Sequence, residues 1–299
     1  ESDSAAGSGS MRCIDDPDAL TFARHAWALL DRDPVRNNVL CTLVEAGCAE
    51  DEPLAWRWIR VLGDGELAGV AVCTSLRGPL LSDLTESAAR AMAAHFARTH
   101  AGFTSVGGPA VAATAFAHHY AGLTGTTPRP GASMRLFQLD HLDPPQGVPG
   151  RCRPATLADR DLILAWTQAF AEETVADRQS RLERAEQDSA IDRRYAYGGL
   201  MWFWEVDGVP VSFAWRTPLV PPTRWPRTAV VRVRAVYTPS ERRGHGYASA
   251  NVAAVSQRGL DAGASACMLY TDAANPTSNK IYQRIGYRQV GTAQEWRFS

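Results

Sequence analysis

Lysine is almost absent from this sequence. Its 299 residues include 31 basic side chains, of which Lys280 is the only lysine and the others are arginines. Acidic residues number 32, so the formal net charge is −1 at pH 7. A chain without an excess of positive charge has no general attraction to nucleic acid or to an anionic membrane. The arginine bias is typical of GC-rich codon usage, and any anion-binding site must be built locally.

Metal-binding patterns and long apolar runs are missing as well. The 6 cysteines form no CxxC pair and no Cys/His cluster at zinc spacing. Most have apolar neighbours, which predicts buried free thiols in a reducing cytoplasm. No apolar run approaches the ~18 residues of a membrane span, and no signal peptide is visible. We therefore expect a cytoplasmic protein without a metal cofactor and without a membrane or nucleic-acid partner.

The first half of the chain alternates between helical and strand-like periodicity. The residues ESDSAAGSGS before Met11 are typical of a vector-derived remnant, so residues 1–11 are left out of the predicted fold. Apolar spacing in residues 12–142 predicts helices at 17–30, 35–48, 83–100 and 111–121, a hairpin at 56–75, and strands at 103–110 and 134–142. The segment 143–150, DPPQGVPG, is dense in proline and glycine and is the predicted linker.

Residues 151–299 repeat much of that order. The predicted elements are strands at 152–156, 229–238, 265–271, 287–291 and 294–298, helices at 159–171, 180–195, 247–262 and 276–285, a hairpin of 200–206 and 209–216, and a proline-rich loop at 217–226. The length of the chain fits about two domains. We therefore predict an α/β fold with a mixed α+β sheet, present as a structural duplication of domains at 12–142 and 151–299.

A glycine-containing turn separates the predicted strand at 229–238 from the predicted helix at 247–262. Its sequence is Arg242-Arg243-Gly244-His245-Gly246-Tyr247-Ala248. The N-terminus of a helix offers unpaired N–H groups and a partial positive charge, which suit a pyrophosphate. The two glycines let the backbone approach phosphate without a Cβ in the way, and the two arginines add cationic donors. Neither the GxxxxGK[ST] loop nor the dinucleotide fingerprint is present, and the alternative is an ordinary strand-to-helix turn.

A second motif, NPTSNKIYQRIGY at 275–287, follows the predicted strand at 265–271. Together with VYTPSERRGHGYAS at 236–249, it resembles the GNAT acyltransferase superfamily. The fixed positions of the family's pantetheine-pyrophosphate motif, [Q/R]xxGx[G/A], match Arg243, Gly246 and Ala248. The family's next motif matches Asn275, Tyr282, Gly286 and Tyr287. The two motifs at the correct mutual spacing make the resemblance much more specific than either motif alone.

The resemblance implies a GNAT fold and acetyl-CoA as the co-substrate that donates an acetyl group to an amine. In this family the sheet opens between two central strands, which here end near Thr238 and Thr271, and pantetheine pairs with main-chain groups in the gap. The acetyl carbonyl then lies near amides that stabilise the oxyanion. By register, Tyr282 would donate a proton to the departing thiolate, and the alternative is a tyrosine that packs a helix on the sheet. The implied coenzyme A site comprises Val236, Tyr237, Thr238, Arg242, Arg243, Gly244, His245, Gly246, Tyr247, Ala248, Asn275, Ser278 and Tyr282.

The general base is left open by the sequence. Arg232 and Arg234 lie in the predicted central strand and cannot act as bases at neutral pH. Asp272 follows the next strand and serves equally well as a helix cap. Glu172 and Glu173 end the first helix of the second half, where the family builds its acceptor site. They are the predicted catalytic or amine-binding carboxylates, and the alternative is a solvated helix end.

The first half of the chain lacks both motifs. Gly107-Gly108-Pro109 stands roughly where the anion turn would be but brings no arginine. We interpret residues 12–142 as a degenerate GNAT-like domain that completes the acceptor pocket, packs as a structural partner or supports a homodimer. The pair His118-His119 has no third ligand at metal spacing.

Three functions remain open at this stage. The first is an acetyl-CoA-dependent N-acetyltransferase for a small-molecule amine, which the duplication and the proline-rich loop favour because they indicate a shaped acceptor cleft. The second is the same chemistry on a protein or peptide. The third is a coenzyme A-binding regulatory protein without turnover, which the absence of an obvious general base favours. The presence of Tyr282 argues against this third function, since a protein that only binds coenzyme A needs no proton donor.

Overall fold

The computed structural model describes residues 10–49, 55–74, 78–99, 102–174, 200–217 and 229–299. Contacts divide the chain into two compact units. The first unit comprises Glu1–Leu136, Asp272–Ala274 and Gly291–Ser299, and the second comprises Phe137–Thr271 and Asn275–Val290. The helix predicted at 180–195 and nearly all of the loop predicted at 217–226 lie outside the described residues. The linker predicted at 143–150 and the two predicted domain ranges stay predictions.

The first unit is built from the first ten elements of the chain. They are β1 (Met11–Asp16), α1 (Ala19–Leu30), α2 (Asn38–Ala49), β2 (Arg57–Gly63), β3 (Glu66–Cys73), β4 (Pro79–Leu81), α3 (Glu86–Thr99), β5 (Ser105–Pro109), α4 (Ala110–Thr124) and most of β6 (Pro128–Leu139). Strands β1 to β4 are antiparallel neighbours in chain order, and β5 pairs parallel with β4. The connection from β4 through α3 to β5 is therefore a crossover, as a parallel pair requires.

The core of the first unit lies between its sheet and helices α3 and α4. Phe96 and Phe116 are fully buried there, with their ring centroids 5.8 Å apart. Helix α1 begins after Asp18, whose side chain accepts a hydrogen bond of 2.7 Å from the backbone of Thr21. Full burial of a large apolar side chain stabilises the fold by about 1.5–3 kcal/mol, so the cluster stabilises the unit far more than any cap.

The second unit contains the remaining elements. They are β7 (Arg151–Pro154), α5 (Arg160–Thr174), β8 (Leu200–Val206), β9 (Val209–Arg216), β10 (Val230–Tyr237), α6 (Tyr247–Asp261), β11 (Ala266–Asp272), α7 (Pro276–Arg284) and the start of β12 (Tyr287–Phe298). Strands β7 to β10 are antiparallel neighbours in chain order, and β11 pairs parallel with β10. Short 3-10 turns at Leu157–Asp159 and Ser240–Arg242 precede α5 and α6.

Two apolar clusters cover the sheet of the second unit. One includes Val231 and Val233 of β10 with side chains of α6, β11 and α7. The other includes Phe203, Phe213 and Trp215 with side chains of α5. Strands β8 and β9 contribute side chains to both clusters, which explains why these two segments are largely hydrophobic in sequence.

Strand β12 takes part in both units. Its residues up to Val290 belong to the second unit, and those from Gly291 belong to the first. There Ala293–Arg297 pair antiparallel with β5. Trp296 packs against the core of the first unit, and its Nε1 donates a hydrogen bond of 3.2 Å to Thr114 Oγ1.

Most of the predicted elements are confirmed. Each predicted helix within the described residues is present, with both ends within three residues of the prediction. The two strands predicted at 287–291 and 294–298 are one continuous strand, β12, and β6 begins at Pro128 rather than at residue 134. Strands β1 and β4 were not predicted, and Met11, which the prediction left out of the fold with residues 1–11, opens β1. No helix in the described part of the chain is long and apolar enough to cross a membrane.

Candidate active site

Strands β10 and β11 of the second unit part at their carboxyl ends. Their parallel ladder joins Val230–Val233 to Ala266–Leu269. Strand β10 continues beyond this ladder to Tyr237, and it stays paired with β9 as far as that residue. The carboxyl ends of parallel strands are where open α/β sheets place their ligands.

A β-bulge near the end of β10 changes which face of the sheet its side chains point to. The register with β9 shifts between Arg234 and Tyr237, and Ala235 has a φ of 50° in the left-handed region. The bulge reverses the alternation of side chains, because Val233 packs in the cluster beside α6 whereas Ala235 and Tyr237 pack against the cluster beside α5. A non-glycine residue in this region costs of order 1 kcal/mol or more, so the surrounding contacts must hold it there.

The turn after β10 exposes backbone at the start of a helix. Gly244 and Gly246 have φ values of 84° and 80°, and Gly246 is the N-cap of α6 without a side-chain cap. The first turn of α6 carries no acidic residue. A Cβ on Gly246 would lie 3.1 Å from Val148 Cγ2, whereas one on Gly244 would meet nothing within 4 Å. An exposed N-terminus with a partial positive charge and no acidic neighbour is suited to bind an anion.

Arg243 links this turn to the end of α5. Its Nε donates to the carbonyl of Thr238 at 2.9 Å, and its Nη2 donates to Glu173 Oε1 at 2.8 Å. The neighbouring carboxylate, Glu172, accepts a hydrogen bond of 3.1 Å from Gln168 instead. The structure thus brings Glu173, but not Glu172, to the anion turn.

Helix α7 carries the second sequence motif. It begins at Pro276 after Asn275, whose Oδ1 accepts a hydrogen bond of 3.0 Å from the backbone of Ser278. Asn275 therefore acts as the N-cap and fixes the start of the helix. Tyr282 is 8% exposed, and it packs in the same cluster as Val236 of β10. Burial raises the pKa of Tyr282 to about 12, so its hydroxyl keeps the proton at neutral pH.

The other predicted side chains line the end of β10 and the turn. Tyr237 is partly buried, with its ring 5.9 Å from that of Trp166. Burial, followed by the charge of Glu173, raises the pKa of its phenol.

In the turn, His245 is exposed and stacks on Tyr247 with ring centroids 5.3 Å apart. Arg242 is exposed and Ala248 is partly buried. Asp272 accepts a hydrogen bond of 2.8 Å from the backbone of Ala274 and thus shapes the turn before α7.

Sequence reasoning missed two residues that shape the site. Ser212 in β9 is fully buried and bonds to both Tyr237 and Thr238. Ala235 adopts the left-handed conformation of the bulge. No spacing rule connects Ser212 to residues some 25 positions away, and alanine is not a residue that predicts a positive φ.

The first unit differs at the corresponding point of its chain. There the junction between the parallel strand β4 and the next helix is Ser82–Thr85, whereas Gly107-Gly108-Pro109 forms the end of β5, so the suggested correspondence of these glycines to the anion turn was wrong. Thr85 Oγ1 accepts a hydrogen bond of 3.3 Å from the backbone of Ala88, and Glu86 stands in the first turn of α3. A Cβ on Gly108 would lie 3.0 Å from Leu81 Cβ, so β4 and β5 remain in contact at their ends. Acidic side chains and a capped N-terminus make this junction unsuited to phosphate.

The described ranges hold no group of three or more His, Cys, Asp or Glu side chains arranged to bind a metal ion. The described cysteines are free thiols. Burial raises the pKa of Cys267 to about 12, which keeps this thiol protonated and unreactive.

Comparison with known families agrees with this geometry. Residues 163–287, which contain the parted strands, the anion turn and the whole motif at 275–287, match the model described as the acetyltransferase (GNAT) family. This part of the chain is therefore a GNAT-family domain. No curated protein sequence matches the chain significantly.

Solved structures with the same fold extend over nearly the whole chain. An acetyltransferase of the GNAT family from Colwellia psychrerythraea has a TM-score of 0.55 at 8% identity, over 97% of this chain and 100% of that chain. A GCN5-related N-acetyltransferase from Sphaerobacter thermophilus has a TM-score of 0.55 at 16% identity, over 96% and 95%. Another from Kribbella flavida has a TM-score of 0.51 at 17% identity, over 77% and 86%. At such low identity these likenesses show the fold alone, which is the GNAT fold predicted from the two motifs.

Proposed function

We propose that this protein is an acetyl-CoA-dependent N-acetyltransferase that acts on the amine of a small molecule. The observation that carries the proposal is the parting of β10 and β11 beside a glycine-opened helix N-terminus. This arrangement lies inside a GNAT-family domain, and the family transfers acetyl groups from acetyl-CoA.

In this proposal the donor binds along the end of β10 and over the turn. The backbone of residues 243–248 and the guanidinium of Arg242 bind the pyrophosphate, and Arg243 joins them once its bonds to Thr238 and Glu173 are exchanged. Pantetheine pairs with main-chain groups of Val236–Thr238, which β11 leaves available because its ladder with β10 ends at Val233. Asn275 and Ser278 contribute by fixing the start of α7.

The reaction needs a nucleophilic amine, a stabilised oxyanion and a protonated leaving group. The amine attacks the thioester carbonyl, the tetrahedral oxyanion accepts hydrogen bonds from amides at the end of β10, and the C–S bond then breaks. Tyr282 donates its hydroxyl proton to the departing thiolate, which leaves as the free thiol, and this role is supported by the retained proton of Tyr282 at neutral pH. A carboxylate at the end of α5 binds the cationic acceptor and accepts its proton. Glu173 is the better candidate of the two because it contacts the turn.

The acceptor is proposed to be a small molecule because the chain repeats a GNAT-like order of elements. In this view the first unit contains a degenerate GNAT-like domain without a donor site, and it completes the acceptor pocket, packs as a structural partner or supports a homodimer. Acetylation of proteins instead of small amines is one outcome of the tests below, and binding of acetyl-CoA without turnover is another.

Titration calorimetry with acetyl-CoA tests the donor site. The native protein should bind one acetyl-CoA, and Gly246→Trp should abolish binding because the new side chain occupies the turn and meets Val148. Gly208→Ala is the matched control, since Gly208 has a φ of 79° in a hairpin turn and a Cβ there meets nothing within 4 Å. Both substitutions strain a left-handed glycine, so loss of binding in Gly246→Trp alone identifies the turn as the site. Absence of binding by the folded native protein would refute the proposal.

Release of the free thiol of coenzyme A then tests turnover. The acceptors are a panel of primary amines that includes polyamines, aromatic amines, aminoglycosides and lysine peptides. Turnover with a small amine supports the proposal, whereas turnover with peptides alone would shift the function to protein acetylation. Tight binding of acetyl-CoA without thiol release from any acceptor would favour a regulatory coenzyme A-binding protein.

A further inference from the structure

The side chain of Ser212 bridges β9 to the bulged end of β10. Its Oγ donates to the carbonyl of Tyr237 at 3.2 Å and lies 3.0 Å from Thr238 Oγ1, which donates to it. Ser212 is 0% exposed, so its hydroxyl depends on these two partners, and both bonds are part-buried. This buried hydroxyl both donates and accepts a hydrogen bond. Loss of either partner would leave a buried polar group unsatisfied, so the hydroxyl holds its position.

The bridge lies at the end of β10, beyond the ladder that joins this strand to β11. The ladder with β11 ends at Val233, and the register with β9 slips through the bulge at Ala235. The left-handed conformation of Ala235 is unfavourable by itself and persists only when its surroundings enforce it. The bonds of Ser212 begin two residues after Ala235, so they hold the far end of the bulge.

We propose that Ser212 is a positioning residue for acyl transfer, which fixes the peptide group between Tyr237 and Thr238 in the orientation that the thioester requires. The inference rests on the proposed function, because that peptide belongs to the segment along which pantetheine and the acetyl carbonyl are proposed to bind. Ser212 itself does not touch the reacting atoms. Its hydroxyl sets the direction of main-chain groups that do.

The expected effect falls on the rate of transfer rather than on donor affinity. The pyrophosphate is proposed to bind at the turn, whereas the hydrogen bonds of Ser212 go to Tyr237 and Thr238, so loss of the bridge should alter the KM for acetyl-CoA by less than about threefold. Displacement of catalytic groups by about 1 Å costs up to a hundredfold in rate. We therefore expect Ser212→Ala to lower kcat by about tenfold or more.

Ser256→Ala is the matched control. Ser256 is also 0% exposed, its Oγ donates to the carbonyl of Val252 at 2.7 Å, and it bonds to Tyr287 Oη at 2.7 Å. Both variants delete a buried hydroxyl from the second unit and should lose stability to a similar degree. Only Ser212→Ala should lose kcat, measured with acetyl-CoA and the best amine of the panel, while Ser256→Ala should stay within about twofold of the native kcat.

A second variant removes only the bond between Thr238 Oγ1 and Ser212 Oγ and leaves the bond from Ser212 to the carbonyl of Tyr237 in place. Thr238→Val keeps the shape of the side chain but loses the hydroxyl, and it should also lower kcat. In the double variant with Ser212→Ala the losses should be less than additive, since both changes delete one shared contact. This variant also provides the answer if Ser212→Ala fails to fold.

The outcomes separate the two proposals. Native kcat in Ser212→Ala or in Thr238→Val, or an equal loss in Ser256→Ala, would overturn the role of Ser212 and leave the proposed function standing. A native protein that binds no acetyl-CoA, or that binds it without turnover, would overturn the role of Ser212 together with the proposed acetyltransferase.

Discussion

Arg243 and Glu173 form an ion pair between the anion turn and the end of α5, with Nη2 2.8 Å from Oε1. The two side chains are 48% and 45% exposed, and a pair so exposed contributes at most about 1 kcal/mol. Arg243 is also a proposed donor to the pyrophosphate. Glu173 and the coenzyme therefore compete for one guanidinium, and a weak pair can be exchanged at little cost.

The competition predicts that Glu173→Gln tightens the binding of acetyl-CoA. Release of Arg243 from an exposed pair should lower the Kd by about two- to fivefold, and the gain should shrink at high salt. Glu172→Gln is the control, because Glu172 bonds to Gln168 rather than to the turn. The Kd for acetyl-CoA is measured by calorimetry at two salt concentrations for both variants. An equal decrease of the Kd in both variants would mean that the change in net charge, and not the release of Arg243, causes the effect.

Replacement of Tyr282 by phenylalanine should separate chemistry from binding. The ring is buried and packs in the cluster that includes Val236, so Phe preserves the packing and removes only the hydroxyl. We expect kcat to fall by about a hundredfold, the lower range for loss of an acid group, with an unchanged Kd for acetyl-CoA. Because the pKa of Tyr282 is about 12, the native kcat should show no loss from its ionisation up to about pH 10. An unchanged kcat in the variant would show that Tyr282 only packs α7 on the sheet and does not act as the acid.

The stoichiometry of acetyl-CoA binding should be one per chain. In the first unit, Thr85 caps the N-terminus of α3, and Glu86 stands in its first turn. Both features oppose the binding of phosphate there. Calorimetry of the native protein should therefore give a single site, and a second site that survives Gly246→Trp would disprove this reading of the first unit.

Trp296 should matter for the stability of the first unit although it stands three residues from the end of the chain. Its ring packs against the core, 4.9 Å from the ring of His118. Trp296→Ala should lower the free energy of unfolding by about 2–4 kcal/mol, through lost burial and a cavity. Thr114→Val removes only the hydrogen bond to Nε1 and should cost about 1 kcal/mol. Denaturant titration of both variants tests the ranking.

Alkaline pH should destabilise the second unit. Burial raises the pKa of Cys267 from 9.0 to about 12 and that of Tyr282 from 10.0 to about 12. The unfolded chain releases these protons first, so the stability present below pH 9 is lost as the pH rises toward about 12. The urea midpoint should fall less steeply above about pH 9 in Cys267→Ala than in the native protein. Cys48→Ala, which changes an exposed cysteine, should keep the native slope.

The helices and the two motifs could be read from the sequence because their signals are local. A cap, an apolar period or a glycine before a helix lies within a few residues of the element that it defines. The ion pair of Glu173 with Arg243 joins residues that are 70 positions apart in the sequence. No local rule could show that Glu173, rather than Glu172, would form it. The bulge at Ala235 and the hydrogen bonds of Ser212 depend on where β10 separates from β11, which no local sequence pattern records. Strand β4 has three residues, too few to show a period.

The path of β12 sets an order for the synthesis of the protein. The first 136 residues and the last nine belong to one compact unit. In synthesis from the N-terminus, Gly291–Ser299 follow the whole of the second unit. Strand β5 therefore remains without its partner Ala293–Arg297 while everything between is made. The first unit, whose synthesis begins first, is therefore completed only after the second unit has been made. A stop codon before Ala293 would leave β5 without this partner.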